Sequence, residues 1–353
     1  MDFEAQYLSE LRCWEREANC LVEGVAARAA RKVTPLQASI EFMDATLFHI
    51  LRINDRHLRM EMLRSAVFEL LTNRNVDHVP EYTRQLCDYV EVQDPGAVLN
   101  DVSRGRSFLF LGFHTGPYWT VFKKLIEKGV DVVTLFPPAL TQKRDEIVAG
   151  ITAMKEHYSS PSNLKLVSLD DPAFLVQLRS GLKPGTQLVV YLDGNSGGPL
   201  QRTPKRDVIL PFFHSEITVK TTIFRIAHMI HLPIVTFNAV RTGVKRRLIL
   251  EPLAQSGKSF ELTAEQAYSR LRARLQQVPA QWEGWIYFHN YFTEEFRASL
   301  NQPPESIPDH CMDRDSRYFL LNTDSGPGGE STLVDKQTYK QYRVRSAASQ
   351  VPA

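Results

Sequence analysis

Residues 107–119, SFLFLGFHTGPYW, decide the fold. SFLFLGF is a short, continuous apolar run, without the polar alternation of a strand exposed on one face, and it ends in glycine and histidine; this is the form of a strand buried on both faces, as in a parallel sheet. Thr115, Gly116 and Pro117 then turn the chain sharply before YWTVFKKLIEKG, which reads as a helix. Outward from this unit the theme repeats. VDVVTLF (130–136), LKLVSL (164–169) and TQLVVYLD (186–193) are three more strands, separated by enough residues for crossover helices, and LPIVTFNAV (232–240) and RRLILEP (246–252) are later ones. The expected fold class is α/β, a mostly parallel sheet flanked by helices.

The flanking regions have other textures. Up to about residue 100 the pattern is helical with no β-run, and LQASIEFMDATLFHILRIND places Ile40, Met43, Leu47, Ile50 and Leu51 at three- and four-residue spacing. Between Ser215 and His231, TVKTTIFRIAHMIH reads as a helix that ends before Pro233, with Ile223, Ile226, Ala227 and Ile230 toward the sheet, and residues 263–276 supply another. After about residue 297 come a linker and a glycine-rich stretch, within which RYFLLNT and STLVDKQTYKQYRVRS pair as a small β-hairpin. The expected organisation is a helical region 1–100, an α/β domain 101–297, and a linker with a hairpin tail 298–353. No repeat of solenoid length occurs.

Composition excludes several classes. The 42 lysines and arginines exceed the 40 aspartates and glutamates by only two, so no global basic field points to nucleic acid or an anionic membrane. Cys13, Cys20, Cys87 and Cys311 show neither CxxC nor metal-ligand spacing, which fits reduced thiols in a cytoplasmic protein. The N-terminus lacks the apolar core of a signal peptide, and nothing in the sequence is apolar for long enough to span a membrane. No feature calls for a metal, flavin or nicotinamide cofactor.

The chemistry concentrates at strand ends. Open α/β sheets bind ligands at the carboxyl ends of their strands, where His114 stands, and a histidine there either takes a proton from an attacking hydroxyl or amine or merely caps its turn. Asp193 ends TQLVVYLD before the loop GNSGG, whose Asn195 and backbone donors offer room for a ligand. If the two strands are close, the Asp193 carboxylate orients the His114 imidazole; otherwise it closes its own Asx turn. The start of the helix after Pro211, Phe212 and Phe213 offers backbone amides to a phosphate or an oxyanion, or is simply capped.

Taken in order, these segments resemble the bacterial lipid A biosynthesis acyltransferases, the lauroyl and myristoyl transferases of the lysophospholipid acyltransferase superfamily, across residues 105–293. SFLFLGFHTGPYW resembles the strand leading into that family's His-x4-Asp/Glu motif, and FPPALTQKRDEIV is similar to the basic segment after the next strand. LRSGLKPGTQLVVYLDGN, ILPFFHSEITVKTTIFRIAHMIHLPIV and PAQWEGWIYFHNYF resemble three further segments of the family in the same order.

The resemblance implies a lysophospholipid acyltransferase-like fold and transfer of an acyl group from acyl carrier protein or coenzyme A to a small-molecule or carrier-bound amine or hydroxyl. His114 would be the base, and the oxyanion would be held by backbone amides near the Gly116 turn or the helix after Phe213. Trp119 stands where the family carries its acid, so Asp193 is the first candidate replacement and Glu216 the second. Trp119, Phe122, Phe136, Phe212 and Phe213 are candidates to line an acyl groove, and Lys143, Arg144, Arg202, Lys205 and Arg206 to meet the donor's phosphates. The membrane anchor usual in the family is replaced by a helical region, which implies a water-soluble or carrier-bound acceptor and at most peripheral contact with the inner membrane. Two alternatives stay open: a thioesterase or amide hydrolase on the same site, and a catalytically silent acyl- or carrier-binding protein in a biosynthetic assembly.

Overall fold

The computed structural model describes residues 3–26, 35–77, 79–136, 144–168, 171–193, 207–254, 259–290, 318–322, 331–336, 338 and 341–344. The chain opens with four helices, α1 (Phe3–Ala26), α2 (Pro35–Leu51), α3 (Arg56–Asn75) and α4 (Pro80–Leu86), followed by β1 (Val90–Gln93) and α5 (Val98–Ser103). Then come β2 (Leu109–Gly112), α6 (Thr120–Glu127), β3 (Val132–Phe136), α7 (Arg144–Tyr158), β4 (Leu164–Ser168), α8 (Phe174–Gly181) and β5 (Gln187–Tyr191). β6 (Asp207–Phe212), β7 (Ser215–Lys220), α9 (Thr222–Met229), β8 (Ile234–Thr242), β9 (Lys245–Pro252) and α10 (Phe260–Gln277) lead into 3-10 turns at Pro279–Gln281 and Glu283–Asn290. β10 (Tyr318–Asn322), β11 (Ser331–Asp335) and β12 (Gln341–Val344) complete the described elements.

Seven strands form one mixed sheet in the order β1-β9-β8-β2-β5-β3-β4. Every pair is parallel except β8 with β9, which turn back on each other through Gly243. The α/β class, with helices flanking a mostly parallel sheet and a helical N-terminal region, is therefore the observed one. β2 lies at the middle, and Leu109, Phe110, Leu111 and Phe113 are all buried, as its continuous apolar run requires. Phe110 belongs to a core shared with Val121, Phe122, Leu125 and Ile126 of α6 and Ile151 and Met154 of α7, while Phe113 meets Tyr268 of α10 edge-on at 5.1 Å.

Three expectations are corrected. A strand does intervene before residue 100: β1 pairs in parallel with β9, Val90 opposite Arg246. Its four residues, VEVQ, are alternately half-buried and exposed, so this edge strand is made by its pairing partner and not by an apolar run. The segment after Phe213 begins as a strand, because β6 and β7 form a two-stranded ribbon and the helix starts only at Thr222. The alternation of buried Ile217 and Val219 with more exposed neighbours gives ITVK a period of two before the helical period takes over. The tail is a three-stranded antiparallel sheet, β10-β11-β12, instead of a two-stranded hairpin.

The chain divides into two compact units. One comprises Met1–Trp14, Phe68–Val208 and Val219–Gly284; the other draws on Glu15–Val67, Ile209–Thr218 and the described residues from Trp285 onward. In the first, Asp77, just after the end of α3, is tied to the sheet by ion pairs of 2.7 Å to both Arg241 of β8 and Arg246 of β9, and Arg241 also pairs with Glu69 at 2.7 Å. Burial would push the Asp77 carboxyl up, but the two guanidinium groups outweigh it and hold it well below the usual carboxylate range. In the second, Ile40, Met43, Leu47 and Ile50 of α2 are buried as the spacing predicts, while Leu51 is half-buried. Lys336, just after β11, is buried between Glu41 (2.5 Å) and Asp44 (2.6 Å) of the same helix, so the C-terminal sheet is docked by charge at the end of its central strand. No helix among the described residues is long and apolar enough to cross a membrane.

Candidate active site

β2 and β5 are neighbours with Gly112 opposite Tyr191, so the residues two past each strand end, His114 and Asp193, emerge side by side. Gly112 is needed at that point because a Cβ there would overlap the Phe237 ring of β8. His114 Nδ1 lies 2.7 Å from Asp193 Oδ1, and the His114 backbone N–H donates to Asp193 Oδ2 at 2.8 Å. The carboxylate side chain is wholly buried, while the imidazole is a quarter exposed. With Nδ1 engaged, Nε2 makes no hydrogen bond to any described residue, which leaves it available as a base.

A three-residue segment after α10, residues 281–283, locks this pair. The Gly116 N–H donates to the Gln281 carbonyl at 2.5 Å, Thr115 and Trp282 form an antiparallel bridge, and the Glu283 N–H donates to the His114 carbonyl at 3.0 Å. The Trp282 indole N–H donates to Asp193 Oδ2 at 2.7 Å, so both carboxylate oxygens are fixed. Gln281 is itself held to the backbone of Arg241 through both ends of its amide, at 2.9 and 2.8 Å. Gly116 has φ +48°, and a Cβ there would stand 2.6 Å from the Ala239 carbonyl oxygen, so this turn admits glycine only.

Aromatic rings enclose the imidazole. Tyr191 stacks on it with centroids 4.5 Å apart, and Tyr118 meets it edge-on at 4.6 Å. The Tyr191 hydroxyl donates to the Tyr118 carbonyl at 3.1 Å, which fixes the two rings relative to each other. Burial by itself would pull the His114 imidazole down, but the charge and hydrogen bond of Asp193 outweigh it, Glu283 adds to them and Arg74 opposes, so the group is raised above the usual histidine range. A second carboxyl, Glu283, is pushed up by burial and pulled part of the way back by His114 and Arg74.

The other predicted site residues have varied fates. Asp193 stands beside His114, whereas Glu216 is an exposed residue on β7. Trp119 is half-buried at the start of α6, packed with Phe122 at 5.2 Å and Tyr118 at 5.8 Å. Phe122 is core. Phe212 and Phe213 pack on one another, and on Phe288 and Trp285 respectively. Arg144 is exposed at the start of α7. Asn195, Lys143, Arg202, Lys205 and Arg206, and the side chain of Phe136, lie outside the described residues. The Gly116 amide, expected near the oxyanion, is committed to Gln281, and no helix begins directly after Phe213 to supply an alternative.

Trp282, Glu283, Tyr118, Tyr191, Asn73 and Arg74 were not identified from sequence. Besides the resemblance of PAQWEGWIYFHNYF, the signal was the tryptophan: an indole N–H in a buried segment needs an acceptor, but nothing local says that it lies 89 residues back. Among the described residues no cluster of histidine, cysteine and carboxylates is arranged to hold a metal ion. Comparison with protein-family models and with curated proteins gives no match.

Proposed function

We propose that this chain is an acyltransferase that moves an acyl group from a thioester to an amine or hydroxyl acceptor, with His114 as general base. The observation that carries the reading is the 2.7 Å His114–Asp193 pair at the carboxyl edge of the sheet, with Nε2 bonded to no described residue. Asp193 takes the part of the acid missing at Trp119, and a carboxylate within hydrogen-bond reach of the histidine favours catalysis over silent binding. The order of motifs that resembles the lipid A acyltransferases supplies the donor class, acyl carrier protein or coenzyme A, and reduced thiols supply the cytoplasmic setting.

In this reading Nε2 accepts the acceptor's proton as its nitrogen or oxygen attacks the thioester carbonyl. The tetrahedral intermediate collapses, the carbon–sulfur bond breaks, and the imidazolium returns the proton to the leaving thiolate. Asp193 keeps Nδ1 protonated, so Nε2 carries the lone pair.

The test is intact-mass analysis of acyl thioesters on coenzyme A and on carrier protein, incubated with the full chain and a panel of amines and hydroxyl compounds, beside His114→Ala. Acceptor-dependent transfer that the variant loses supports the proposal. Free acid released without any acceptor replaces it with a hydrolase, and binding without turnover, unchanged in the variant, replaces it with a binding protein.

A further inference from the structure

We propose that Glu283 is a second acidic positioning residue of this site: its buried carboxylate, held by Asn73, adds a negative charge beside the one Asp193 brings to His114. Its backbone is tied to the His114 turn, N–H to carbonyl at 3.0 Å, within the segment that also binds Gly116 and Asp193. Its Oε1 accepts from Asn73 Nδ2 at 3.2 Å, and Asn73 is fixed on its other side by Arg241, which bonds to its side-chain oxygen. Neither peptide nor carboxylate is left to drift.

Among the described residues no lysine or arginine forms an ion pair with Glu283, in contrast to Glu69 and Asp77 of the same region. A buried carboxylate with a single neutral donor is unstable unless it takes a proton or stands near a cation. The charges that act on it are those of His114, Arg74 and Asp193, and those that act on His114 are Asp193, Glu283 and Arg74; Tyr118 and Tyr191 line the same space with phenols pushed far up by burial. Each of Glu283 and His114 therefore acts on the charge of the other. In the proposed reaction the imidazolium formed at proton transfer is stabilised by two carboxylates, one bonded to the ring and one acting through space. That use rests on the function proposed above; the electrostatic link does not.

The test reads the imidazole directly. In histidine-labelled full-length chain the His114 resonance, assigned by its absence in His114→Gln, is followed by NMR from acid to alkaline pH in wild type, Glu283→Gln and Glu283→Asp. Glu283→Gln is expected to lower the His114 midpoint by roughly half a unit or more, with Glu283→Asp restoring part of it. Because coupling is reciprocal, His114→Gln is expected to raise the Glu283 carboxyl midpoint, a measurement that needs no Glu283 variant to fold. A His114 midpoint unmoved in folded Glu283→Gln, or a Glu283 midpoint unmoved in His114→Gln, overturns the inference whether or not the protein transfers acyl groups. Coupled midpoints in a protein without transfer sustain it and overturn only the function.

Discussion

Gly112 of β2 stands opposite Tyr191 of β5, and this single register places His114 against Asp193 two residues further on. Parallel neighbours in register emit their following loops from the same sheet edge, so the dyad is a product of strand order. Asp193→Asn should leave the fold intact and lower turnover by about two to four orders of magnitude. With the amide oxygen taking the Trp282 and His114 N–H bonds, the NH2 would face Nδ1 and hold the ring in the tautomer whose Nε2 is already protonated. Single-turnover mass spectrometry beside circular dichroism checks this; a variant of near wild-type rate would remove Asp193 from the mechanism.

Trp282→Phe keeps an aromatic ring at the position but deletes the donor to Asp193 together with part of the buried indole. A hydrogen bond to a charged group contributes about 1.5–3 kcal/mol and the smaller ring leaves a cavity, so urea denaturation should show a loss of at least that order. Turnover should fall with little change in KM, because the indole acts on the carboxylate and not on substrate.

The raised His114 imidazole has a linked pH dependence of stability. The sign follows from the folded-state value lying above the unfolded one of about 6.5: the stabilisation is fully present below the unfolded value and is lost as pH rises through the folded one. The stability difference between wild type and His114→Gln, measured by urea denaturation across pH 5–9, should therefore be most favourable to wild type at the acid end. A flat difference would show that the imidazole gains no charge stabilisation on folding.

Asp77→Asn strikes the buried network of Glu69, Asp77, Arg241 and Arg246. It leaves Arg241 and Arg246 without their shared carboxylate, and breaking one partner of a buried pair costs about 3–5 kcal/mol. Thermal unfolding should show a large loss. Lys123, whose amine burial pulls down to about 8 with Arg246 adding to the effect, should then be still less willing to hold a charge.

Gly116→Ala combines a left-handed backbone with a Cβ driven against the Ala239 carbonyl and the Gln281 amide. A loss of about 2–4 kcal/mol is expected. Because Gly116 also anchors Gln281, turnover should fall with stability. An Ala variant as stable as wild type would show that the turn readily adopts another conformation.

What the sequence determined by itself is local. The apolar run SFLFLGF, its five successors and the helical spacing of Ile40, Met43, Leu47 and Ile50 announce a buried parallel sheet with helices, because strand and helix periods are written in neighbouring residues. His114 and Asp193 were legible as candidates for the same reason, each standing just past a strand. Short β1, with no apolar run, and the ribbon of β6 and β7 were not, because their pairing partners make them strands. Only the tertiary structure decided that β5 lies beside β2, and so that Asp193 and not the exposed Glu216 is the partner of His114. It also brought Trp282 and Glu283 to the dyad: hydrogen bonds and charges act through a few ångströms of space, and the chain supplies those neighbours from 89 residues beyond Asp193 and 210 beyond Asn73.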